Sequence, residues 1–165
     1  MKNITLWILC ILVGINLALT LKINAQLSGK SPGQISEEQA NPLPECITKD
    51  VRTQLADQLL SAYNANDLDA LWNFLGEYAQ AQLAKEDLVK SVDQVRSLMG
   101  PILEAKYLYH EAAGKAGNLN FYTLYYKVQL TDKCQIAEAG TLKISIATSG
   151  SDLQVVGFFI NAITE

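Results

Sequence analysis

Residues 85–109, KEDLVKSVDQVRSLMGPILEAKYLY, change their repeat partway along. Up to Gly100, the apolar residues Leu88, Val92, Val95 and Met99 recur every three or four positions, which places them on one stripe of a helix. Gly100-Pro101 ends that helix, because proline has no N–H to continue the ladder and its ring clashes with the preceding turn. Beyond Pro101 the period becomes 2, first in LEAKYLYHE (103–111). Residues 119–130 then alternate, with Tyr122, Leu124, Tyr126, Val128 and Leu130 on one face and Thr123, Lys127 and Gln129 on the other. Residues 136–147 set Leu142, Ile144 and Ile146 against Thr141, Lys143 and Ser145, and SGSD (149–152) turns tightly into LQVVGFFINA.

Upstream of this stretch, residues 49–63 align Val51, Leu55, Leu59 and Ala62, with Thr48 as the amino-terminal cap. NAND (64–67) breaks this helix, and Asp67 caps a shorter one whose Leu68, Leu71, Trp72 and Leu75 share a face. Three helices followed by four strands on short turns predict an α+β domain, with helices over one face of an antiparallel sheet.

The chain has 165 residues, 49% of them apolar and 18% charged, a composition that excludes a disordered polyelectrolyte. Residues 4–21 carry no charge and lie between Lys2 and Lys22. Basic start, apolar core and small residue at Ala25 give the order of a secretory signal cut after Ala25. The run is also long enough to stay as a membrane anchor, although Asn16 would lack a partner in hydrocarbon. Both readings place the domain outside the cytoplasm, in the periplasm, beyond the cell, or on the outer side of the inner membrane. Cys10 follows Trp7-Ile8-Leu9 and does not make a lipoprotein signal. Residues 26–47 gather Ser, Gly, Gln and three prolines and read as a flexible linker to a domain over 48–165.

Residues 26–165 hold 11 basic and 17 acidic side chains, a charge of −6 with no basic stripe, which argues against nucleic acid as a partner. The one histidine and the widely spaced cysteines give no metal-ligand spacing. There is no phosphate loop, and no cofactor is implied. After export Cys46 and Cys134 form an even pair in an oxidising compartment, and a disulfide between them is expected. Closing that loop would add about 4–5 kcal/mol on the chain-entropy estimate.

The segments LLSAYNANDLDALWNFL, KEDLVKSVDQVRSLMGPILEAKYLY and LQVVGFFIN together resemble the nuclear transport factor 2-like superfamily, in particular small exported bacterial domains of that fold. The resemblance covers about residues 48–163. It implies a cone-shaped, curved sheet whose helices close a cavity. The superfamily includes isomerases, dehydratases and binding modules, so it does not assign an activity.

Catalysts of that superfamily place an acid or base inside the cone. If Leu108 marks the core face, His110 points inward, where a tyrosine such as Tyr122 or Tyr126 could assist it as a general base. The plainer reading makes His110 a half-buried histidine at a sheet end. Tyr63, Trp72, Tyr122 and Tyr126 are the residues expected to wall an apolar ligand pocket. The resulting expectation is a non-enzymatic exported domain that binds a small apolar ligand or a protein partner at the cone or the sheet face. A homodimer would pair through the polar sheet face of Thr141, Lys143 and Ser145. The alternative is a small lyase or isomerase that uses His110.

Overall fold

The computed structural model describes residues 42–131, 134 and 137–163. The apolar amino-terminal segment, its cleavage after Ala25 and most of the linker lie outside these residues. Helix α1 spans Lys49–Ala65, and Thr48 Oγ1 accepts the Val51 N–H at 3.2 Å as its cap. The helix stops at Asn66, whose φ of 57° is left-handed and whose N–H returns to the Ala62 and Tyr63 carbonyls. Asp67 Oδ1 then accepts the Ala70 N–H at 2.9 Å and opens α2, Leu68–Phe74. A one-turn helix, α3 (Glu77–Gln80), comes before α4 (Lys85–Met99). Four residues are too few to carry an apolar stripe, so α3 leaves no periodic signal in the sequence. Gly100 closes α4 at a φ of 66°, with its N–H on the Arg96 carbonyl.

Four strands follow, β1 (Ile102–Ala116), β2 (Leu119–Leu130), β3 (Ala139–Ser149) and β4 (Asp152–Ala162). They form one antiparallel sheet in the order β1-β2-β3-β4. The architecture is α+β, with the helices preceding the sheet in sequence and sharing one apolar core with it, while Tyr78 of α3 meets Phe121 on the other face of the sheet at 6.0 Å. The alternation read on β2 and β3 holds: Leu124, Val128, Leu142, Ile144 and Ile146 are fully buried, as are Leu59 and Leu71 from the helices.

Several features differ from the sequence reading. The first strand continues to Ala116 rather than ending near residue 111, and β3 begins at Ala139 rather than 136. Ile47 is buried, and Leu43 and Cys46 pack against the same core, so the folded body starts before Thr48. Cys46, half-buried, and Cys134, buried, each pack among apolar neighbours and stand unbonded to each other in this structure. Leu108, taken as the marker of the core face, is 50% exposed.

The last difference follows from the shape of β1. This strand uses 15 residues to pair with the 12 of β2. The three extra residues are Leu103, Leu108 and Ala113, each skipped in the register and spaced five apart. Each is a bulge, which sharpens the local twist and resets which face the following side chains take.

Candidate functional site

The middle bulge decides what faces the helices. Before it, Tyr107 pairs with Tyr126; after it, His110 pairs with Leu124. Tyr126 and Leu124 both lie in the core, so Tyr107 and His110 share the helix-facing side. Simple alternation would put them on opposite sides. His110 therefore does point inward as expected, but because Leu108 bulges out rather than because Leu108 points in. Its partner is Tyr107, whose Oη lies 2.8 Å from His110 Nδ1.

Helix α1 completes the group. The Arg52 guanidinium lies 4.2 Å over the Tyr107 ring, a cation–π contact. The Tyr107 ring meets Tyr126 edge to face at 5.6 Å, and Tyr126 Oη donates to the Arg52 carbonyl at 2.9 Å. Burial raises the Tyr126 pKa well above the usual phenol value, and the nearby Arg52 charge only partly offsets this. Arg52, Tyr107 and His110 are each half-buried, so the group sits at the border between core and solvent.

The four residues expected to wall a pocket divide into two kinds. Tyr63 and Tyr126 are buried, and their hydroxyls are used to tie elements together: Tyr63 Oη donates to the Gly100 carbonyl at 3.1 Å. Trp72 and Tyr122 are half-buried and pack against the same core. Tyr107, not one of the four, is the ring that meets Tyr126. A groove of about 550 Å³ lies elsewhere, between α1 and α2, lined by small residues such as Ser61, Ala65 and Ala70. Among the described residues no group of three or more His, Cys, Asp or Glu side chains is placed to hold a metal ion.

The opposite face of the sheet carries a second group. Tyr109, Tyr125, Lys143 and Phe159 form one cross-strand row. Tyr109 and Tyr125 stack at 4.4 Å with their planes 13° apart, and Lys143 Nζ lies 5.0 Å from the centre of the Tyr125 ring. Tyr125 Oη donates to Glu111 Oε2 at 2.6 Å. Partial burial and that carboxylate both push the Tyr125 pKa up. Thr141, Lys143 and Ser145 lie half-exposed on this same face, as their alternation predicts.

Sequence reading did not single out Arg52, Tyr107 or the Tyr109–Tyr125 stack. A signal for the stack was present, since Tyr125 is out of phase with the core residues Leu124 and Tyr126. Arg52 gave none, because its partner is 55 positions away. Among the described residues no helix is long and apolar enough to cross a membrane. No protein-family model matches the chain, and no curated protein is similar to it.

Proposed function

We propose that this chain is an exported, non-enzymatic binding domain of the nuclear transport factor 2-like type, and that it engages a second copy of itself through the open face of its sheet. The observation that carries this reading is the ordered row Tyr109–Tyr125–Lys143–Phe159, exposed or half-exposed on the face away from the core, which α3 meets at Phe121 through Tyr78. Rigid aromatic side chains already held by stacking lose little entropy on association, which is why such residues dominate interface energetics. The face also carries Lys106, Lys127 and Lys143 alongside Glu104 and Glu111. A surface bearing both signs can complement itself across a two-fold axis. Export is supported by the uncharged run 4–21, and the cone by three bulges that increase the twist of β1.

Native mass spectrometry of the exported form tests this directly. The expected result is a dimer, with Tyr125→Glu weakening assembly at least about tenfold because it buries a charge at the centre of the face. A wild-type monomer at every concentration, or a Tyr125→Glu dimer of unchanged strength, sinks the reading.

The Tyr107–His110 bond supports a second reading, in which His110 is the base of a small lyase or isomerase. That role requires the neutral tautomer in which Nδ1 donates to Tyr107 Oη, with Nε2 unprotonated. Nitrogen-15 shifts that report the Nε2–H tautomer would remove it.

A further inference from the structure

Arg52 is held in an unusual way for a cation in an acidic chain. On helix α1 its neighbours at three and four positions are Thr48, Lys49, Leu55 and Ala56, so no carboxylate is within helical reach. Among the described residues the ion pairs are Lys85–Asp69 and Lys90–Asp87, and Arg52 belongs to neither. Its Nε donates to the Thr48 carbonyl at a long 3.4 Å. Its guanidinium carbon instead lies 4.2 Å from the centre of the Tyr107 ring, within cation–π range. Three further contacts fix that platform. The Tyr107 hydroxyl is held by His110, its ring meets Tyr126, and Tyr126 in turn bonds to the backbone of Arg52. The bulge at Leu108 is what brings Tyr107 and His110 to one face, and bulges of this kind recur where a strand re-aims a side chain at a functional site.

A guanidinium held over a ring keeps its terminal N–H groups in its own plane, the geometry that receives both oxygens of a carboxylate. The ring contact and the half-buried setting restrict its rotamers before any ligand arrives, so little ordering is left to oppose binding. From this arrangement we propose that Arg52, on its Tyr107 platform, is the binding site for the carboxylate of a small organic acid. The site lies on the helix-facing side of the sheet, opposite the row proposed for self-association, and it stands whether or not the chain dimerises.

The test uses the full chain in a neutral detergent, titrated with sodium benzoate, with sodium chloride as the ionic control. The side-chain Nε–Hε resonance of Arg52 is followed by NMR. A saturable benzoate shift that chloride does not reproduce is expected. Arg52→Gln should weaken binding about tenfold or more, and Arg52→Lys should also weaken it, since an ammonium lacks the two-pronged geometry. Tyr107→Leu removes the ring and should bind about fivefold more weakly than wild type. Absence of saturation, an equal response to chloride, or undiminished binding by Arg52→Gln overturns the proposal.

Discussion

Asn64 is one of the side chains that join the helices to the sheet, and it holds both main-chain groups of one strand residue. Its Oδ1 accepts the Ile102 N–H at 2.9 Å and its Nδ2 donates to the Ile102 carbonyl at 2.7 Å. Ile102 opens an edge strand and is 1% exposed, so without Asn64 both its main-chain groups would lack partners on that side. The amide thus does for one residue what a neighbouring strand would do. Asn64→Ala should lower stability by about 1–2 kcal/mol, and Asn64→Asp, which keeps the acceptor and loses the donor, should fall between it and wild type. Urea unfolding midpoints measure both. Indistinguishable midpoints would mean that water replaces the amide at no cost. In the sequence this residue reads only as part of the NAND break, because its partner lies 38 positions away.

At the level of elements, legibility depended on whether a segment kept its period. Helices α1 and α4 and strands β2 and β3 hold a constant repeat, and the residues their patterns select are buried apart from Val51, Val95 and Tyr122, which are half-buried; Tyr63, Ser91 and Thr148 are buried although no pattern selects them. Strand β1 does not hold its repeat. Bulges at Leu103, Leu108 and Ala113 reset its phase, so alternation counted across them misplaces Leu108 and puts Tyr107 on the wrong face. A bulge is set by the register between two strands, which composition does not encode. The same fact makes the candidate site only half legible: His110 could be singled out, but neither the tyrosine that holds it nor the arginine above that tyrosine. The bulge assignment has a direct consequence. Were Leu108 a core residue, Leu108→Ser would cost about 2 kcal/mol or more. As a bulged, half-exposed side chain it should cost within about 0.5 kcal/mol. Thermal unfolding of the variant distinguishes these, and a large loss would return Leu108 to the core.

For the molecule as a whole, the tyrosines set how stability responds to alkali. Burial pushes the Tyr63 hydroxyl up to about 12, with Arg96 pulling partly against it, and raises Tyr125 and Tyr126 in the same direction. In the unfolded chain these phenols would titrate near the ordinary value of about 10. A group whose folded pKa is raised keeps its proton longer in the native state, so below about pH 10 both states hold it and its contribution is fully present. Above that pH the unfolded state releases the proton while the native state does not. Stability then falls by up to about 1.4 kcal/mol per pH unit for each fully buried phenol, until the folded pKa is passed. Tyr63 and Tyr126, each 1% exposed, should show nearly the full effect, and the half-exposed Tyr125 less. The urea midpoint should therefore stay level as pH approaches 10 from neutrality and then drop steeply toward 12, with tyrosinate absorbance rising in two stages. The second stage should coincide with loss of the far-ultraviolet circular dichroism signal. If all seven tyrosines ionised together near pH 10 in a chain still folded, the phenols assigned to the core would have to be in water, and the packing of α1 and α4 against the sheet would be wrong.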